Sequence, residues 1–141
     1  EQGMPLNHIK PHGSLYVMAA KDENIANAIA DAVETFDVSI FGMAHTCHEK
    51  VYKDERGLNF IAEFYADLDY DENGKLVIAK GKNATYDSKI ATDRVLRALS
   101  EKKVTNTVGK DIDVGCDTIC VHSDTPNAVE IITGIKLALG K

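Results

Sequence analysis

The sequence predicts an α/β fold with parallel strands, arranged as an open sheet or a barrel. Three observations carry that expectation. Short apolar runs near Ile9, Ile40, Ile61 and Cys120 alternate with longer segments whose apolar residues recur at three and four. Residues suited to helix starts, Asp22, Asp87 and the Thr125-Pro126 pair, stand at the head of those longer segments. Several apolar runs end in ionisable residues, the position where parallel α/β folds collect ligands and catalytic groups.

The first run is Asn7-His8-Ile9-Lys10-Pro11-His12-Gly13-Ser14-Leu15-Tyr16. A strand from His8 to His12 sends alternate side chains to one face, so His8, Lys10 and His12 emerge together. Pro11 has no amide hydrogen and Gly13 permits a sharp turn, which puts this triplet where strand gives way to loop. Asp22 then caps a helix with Ile25, Ala28, Ile29, Ala32, Val33 and Phe36 on its apolar side. Residues 38–43 read as a second buried strand, 46–56 as a polar helix stopped by Gly57, and 59–65 as a third strand with Glu63 and Asp67 at or beyond its end. A turn over 71–75 and an extended piece over 76–79 precede a helix that Asp87 caps. Residues 104–114 alternate about a glycine turn as a hairpin. The run 117–126 is a fourth strand on which Cys120, His122 and Asp124 share a face, and Thr125-Pro126 opens a last helix that Gly140 closes. Two buried strands that both end in histidine imply a common site. Asp124 has an alternative role as the cap of that last helix.

Composition narrows the function classes. The 141 residues, 44% hydrophobic, suffice for the core of one domain spanning 1–141. A net charge of -6 without a Lys/Arg cluster argues against a nucleic-acid or anionic-membrane surface. No apolar run approaches the roughly 20 residues of a membrane span, and no charged-then-apolar leader opens the chain. Three cysteines, Cys47, Cys116 and Cys120, are too few and too odd for a disulfide framework, so a cytoplasmic protein is expected.

Several motifs fail on inspection. Asp69-x-Asp71-x-Asn73-Gly74 copies half of a calcium loop, but its twelfth position is Lys80 where a bidentate Glu is required. His45, Cys47 and His48 sit at a strand-helix junction where consecutive side chains diverge, and Cys116-x3-Cys120 lacks a second close pair for zinc. Asn83-Ala84-Thr85 is a glycosylation sequon only in a secreted chain. There is no phosphate-cradling G-x-x-x-x-G-K-[ST] loop, so ATP chemistry needs another kind of site or a partner.

Three segments, His8-Ile9-Lys10-Pro11-His12-Gly13-Ser14-Leu15-Tyr16, Glu63-x-x-x-Asp67 and 117–126, resemble in order and spacing the signatures of the LamB/YcsF family, over essentially the whole chain. That family includes lactam-utilisation proteins and the A-type component of bacterial 5-oxoprolinase. The resemblance implies part of a seven-stranded β/α barrel of the glycoside hydrolase/deacetylase type. It also implies ATP-dependent opening of 5-oxoproline to glutamate with separate B- and C-type subunits. Two departures stand out. Leu68 replaces the Arg that commonly follows the Asp of the middle motif, and the family's amino-terminal segments are missing, so the chain reads as the carboxyl-terminal half of the barrel. The opening residues 1–6, read as a helix tail stopped by Gly3 and Pro5, fit a chain that begins mid-fold. Half a barrel exposes strand edges, so the missing amino-terminal half or a second chain is an expected partner.

Opening a lactam requires a group that polarises the carbonyl, a base for water and an acid for the leaving nitrogen. Lys10 is the expected electrophile, and His12 and then His122 are the expected acid/base groups. His8, Glu63, Asp67 and Asp124 are expected to bind substrate or orient these groups, or to hold a divalent metal of unknown identity. Two other readings are a metal-dependent deacetylase-like hydrolase and a non-catalytic binding fragment.

Overall fold

The computed structural model describes residues 3–78 and 86–141, which form a mixed α/β fold with a parallel sheet. The sequence reads as one domain; the chain resolves into two compact units, 1–63 and 64–141, with strand β3 contributing to both.

The first unit holds β1 (His8–Ile9), α1 (Ser14–Ala19), α2 (Glu23–Val33), β2 (Ser39–Gly42), a π-helix (Glu49–Glu55) and the start of β3 (Phe60–Tyr65). The strands run parallel, with His8 opposite Ser39, Ile9 opposite Ile40 and Ile40 opposite Phe60. One face of this sheet is apolar. Ile9, Ile40 and Phe60 pack there with Ala19, Ala26, Ala30, Val33, Val51 and Tyr52, and each fully buried aliphatic is worth about 1.5–3 kcal/mol. Asp22 caps α2 as the sequence predicts, its Oδ1 accepting from the amides of Asn24 (2.8 Å) and Ile25 (3.3 Å). Arg56 ties the end of the π-helix to α2 through Glu34 (2.8 Å), Asp31 (2.6 Å) and Asn27 (3.1 Å).

Gly42 is where the π-helix meets the sheet. A Cβ there would stand 2.8 Å from both the His48 Cβ and the Phe60 ring. Gly42→Ala is therefore expected to destabilise by about 1–3 kcal/mol through overpacking, read as a lower denaturant midpoint at unchanged slope. An unchanged midpoint would contradict this packing.

The second unit holds the end of β3, β4 (Asp69–Tyr70), β5 (Leu76–Val77), α3 (Ser88–Glu101), β6 (Lys103–Thr105), β7 (Asp111–Asp113), β8 (Thr118–Cys120) and α4 (Ala128–Ala138). The β4–β5 hairpin turns on Asp71, whose Oδ1 accepts from the Asn73 and Lys75 amides at 2.8 Å. The β6–β7 hairpin turns on Asn106 and on Gly109 at φ 78. Strand β8 lies beside β3, and just past β3 the Ala66 amide donates to the Cys120 carbonyl (3.0 Å). Asp87 caps α3, and Ala91, Val95 and Ala98 of that helix share the unit's core with Ala128, Ile131 and Ile135 of α4.

Several local expectations are corrected. The first strand ends at Ile9, because Pro11 and Gly13, at φ 60, turn the chain into the short helix α1. The helix expected over 46–56 is wound as a π-helix from Glu49. Helix α4 starts at Ala128, with Asn127 and not Asp124 at its N-cap. Ala79, Lys80 and the Asn83-Ala84-Thr85 sequon lie outside the described residues. Among the described residues no helix is long and apolar enough to cross a membrane.

Candidate active site

In the first unit the polar face of the sheet is set by register. His8 lies opposite Ser39 and Phe41 opposite Ile61, so Lys10, one residue past β1, and Glu63, two residues after Ile61, belong to the face opposite the apolar core. Their side chains meet: Lys10 Nζ donates to Glu63 Oε1 at 2.6 Å. Glu63 is 5% exposed, and a carboxylate so far from water needs a matching cation. Lys10 remains 27% exposed at its side chain, so the pair is half-buried on the lysine side and closed on the glutamate side. The Tyr16 ring backs it, with Nζ 5.8 Å from the ring centroid. His8 shares this face but is exposed and stacked flat on Phe41, ring centroids 4.2 Å apart. His12 lies beyond β1, exposed, so it does not share the strand face predicted for it.

In the second unit a pair forms between the loop after β3 and the loop after β8. Asp67, 1% exposed, places Oδ1 3.0 Å and Oδ2 3.2 Å from His122 Nδ1. Its Oδ2 also accepts from the His122 amide (2.8 Å) and from the Thr125 hydroxyl (2.8 Å). Burial works to raise the Asp67 pKa, but the hydrogen bonds from the His122 ring, the His122 amide and Thr125 outweigh it, and the carboxyl titrates below its ordinary value. An ionised Asp67 accepts a hydrogen bond from Nδ1–H, which leaves His122 Nε2 as the basic nitrogen. The imidazole lies near-parallel to the Tyr65 ring, centroids 5.7 Å apart. Asp124 is exposed, and because β8 ends at Cys120 the alternation that would put it on one face with Cys120 and His122 does not continue to residue 124.

The remaining histidines and cysteines divide between surface and core. His48 is fully buried between Tyr16 and Tyr52, its Nδ1 accepts from the Met43 amide (3.1 Å), and burial pushes its pKa down to about 4. It is a neutral core residue. Burial pushes the Cys116 thiol up to about 11. Among the described residues no group of three or more His, Cys, Asp or Glu side chains is gathered closely enough to hold a metal ion, and Glu63 is matched by an ammonium instead. Thr125 was legible only as a helix start, and Tyr65 only as strand.

The family model described as LamB/YcsF matches residues 1–141. The chain belongs to the LamB/YcsF family. It is 41% identical over 143 residues to the A-type component of 5-oxoprolinase from Campylobacter jejuni subsp. jejuni serotype O:23/36 (strain 81-176), covering 99% of this chain and 56% of the relative. It is 43% identical over 139 residues to the protein of the same name from Staphylococcus haemolyticus (strain JCSC1435), covering 96% and 55%. The crystal structure of the lactam utilization protein from Thermus thermophilus superposes with a TM-score of 0.83 at 34% identity, over 99% of this chain and 56% of that one. The chain thus spans about half the length of the relatives it matches. The LamB/YcsF match runs over the entire chain, so the expectation that these residues are specifically the carboxyl-terminal half is corrected.

Proposed function

We propose that this LamB/YcsF chain contributes the hydrolytic residues of an ATP-dependent 5-oxoprolinase, opening a cyclic amide to an amino acid. The observation that carries the reading is the Asp67–His122 pair: a buried, ionised carboxylate holding an imidazole that keeps about a third of its surface open. The names of the relatives agree with it. The finer fold we infer is the seven-stranded barrel, and the partners are the B- and C-type subunits of a cytoplasmic assembly.

The chemistry is assigned residue by residue. His122 Nε2 takes a proton from water, whose oxygen attacks the lactam carbonyl carbon. In the first unit Lys10 Nζ, held by Glu63, is the group assigned to stabilise developing negative charge on a substrate oxygen. The C–N bond then breaks, and the imidazolium returns its proton to the leaving nitrogen. ATP supplies the driving force for opening an unstrained ring. The described residues offer no phosphate-cradling loop, so nucleotide is assigned to the assembly and no step here runs through it. His8 lies on the Lys10 face and is assigned to substrate contact. His12 and Asp124 are kept as outer contacts.

The test compares His122→Ala with His12→Ala in the full-length assembled enzyme, following ATP-dependent conversion of 5-oxoproline to glutamate. His122→Ala is expected to lower kcat by about 10²–10⁴ and His12→Ala by much less. A larger loss from His12→Ala would return the acid/base role to His12, and full activity in both would leave a binding role only.

A further inference from the structure

A buried guanidinium stands behind the Asp67 loop, and neither the sequence motifs nor the proposed chemistry accounts for it. Arg94 projects from α3 with its side chain 11% exposed. Removing a charge from water is costly unless its partners compensate, and an uncharged side chain of similar length would fill the same space. The partners are specific. Arg94 Nη2 donates to the Leu68 carbonyl (2.6 Å), and Nη1 donates to Asp69 Oδ1 (3.2 Å) and meets the Tyr86 hydroxyl. The rings of Phe64, Tyr70 and Tyr86 surround the guanidinium, their centroids 6.0, 5.8 and 5.3 Å from its carbon. Leu68 and Asp69 are the two residues that follow Asp67. On the other side of Asp67, the Tyr65 amide donates to the Tyr70 hydroxyl (3.0 Å), so a ring that packs on Arg94 also braces the approach to the loop.

We infer that Arg94 is a positioning residue: it fixes the chain leaving Asp67 so that the carboxylate faces His122 Nδ1 and the His122 amide. His122 and Thr125 hold the carboxylate from the front, and Arg94 holds the backbone from behind. Arg94 acts through Asp67 and touches no substrate. A planar fork suits this task because one group reaches a carbonyl, a carboxylate and a hydroxyl at once. The inference rests on reading Asp67 and His122 as the proton-transfer pair only where it concerns turnover; the positional claim stands on geometry.

The test uses Arg94→Met and Arg94→Lys in the full-length protein. Hydrogen exchange is read at the His122 amide, which donates to Asp67, against the Val114 amide, which donates to the Lys102 carbonyl at 2.9 Å. Arg94→Met is expected to speed exchange at His122 by about tenfold or more relative to Val114, with Arg94→Lys recovering part of the protection. Turnover should fall in Arg94→Met with KM little changed, and recover partly in Arg94→Lys. Equal acceleration at both amides, or none at His122, overturns the inference in favour of simple core filling. Selective exchange at His122 with undiminished kcat upholds the positioning and overturns the catalytic reading of the pair.

Discussion

Asp67→Asn in the assembled enzyme is expected to lower kcat by roughly 10²–10⁴ while KM stays within a few-fold. An asparagine keeps one oxygen for the His122 amide or Thr125. Its NH2 group then faces Nδ1, which must accept, and the ring proton moves to Nε2, where the base is needed. Steady-state kinetics, with the nitrogen shifts of the His122 ring as a tautomer readout, decide the matter. A kcat close to that of the parent enzyme would sink the pair as the acid/base unit. The same substitution carries a pH signature. The folded-state pKa of Asp67 is depressed, so its contribution to stability is present above the unfolded value of about 3.9 and is lost as pH falls through the lower folded value. Below about pH 4 the parent should lose stability more steeply than Asp67→Asn.

Lys10→Met should combine a loss of turnover of at least about 10² with a loss of stability. The variant strands the Glu63 carboxylate, which is 5% exposed, without its ammonium. Breaking a buried pair in this way costs about 3–5 kcal/mol, and the partly open Lys10 side chain points to the lower end of that range. The double variant Lys10→Met/Glu63→Gln separates the two effects: denaturant midpoints should recover most of the stability, and turnover should stay lost. Recovery of turnover in the double variant would reduce Lys10 to a structural counter-ion.

What could be read from the sequence was what local chemistry determines. Asp22 and Asp87 announced their helices because a cap acts on amides two or three residues away. Lys10 and Glu63 were legible as strand-end residues, and alternation gave the correct face for His8 and Lys10. Their partners were not legible, since Lys10 and Glu63 are 53 residues apart and Asp67 and His122 are 55 apart. His12 does not follow the alternation because β1 ends at Ile9, before Pro11, so the strand does not reach residue 12. The six-residue helix α1 is too short to show a period, and the seven residues of the π-helix, with two buried positions side by side at Val51 and Tyr52, are too few to tell its wider turn from that of an α-helix. Thr125 looked like the start of α4, but its hydroxyl goes to Asp67 and the helix begins three residues later.

The distance in sequence between Asp67 and His122 also has a kinetic meaning. Helix α3 and the β6–β7 hairpin, in which Thr105 pairs with Asp111, assemble from near neighbours along the chain. The contact between Asp67 and His122 must instead close a loop of 55 residues that contains both of them, and chain entropy opposes that closure until the enclosed pieces are compact. The Asp67–His122 contact is then among the last that a refolding chain acquires. A molecule with all its helices in place but this loop still open would have native secondary structure and a His122 ring with no carboxylate to orient it.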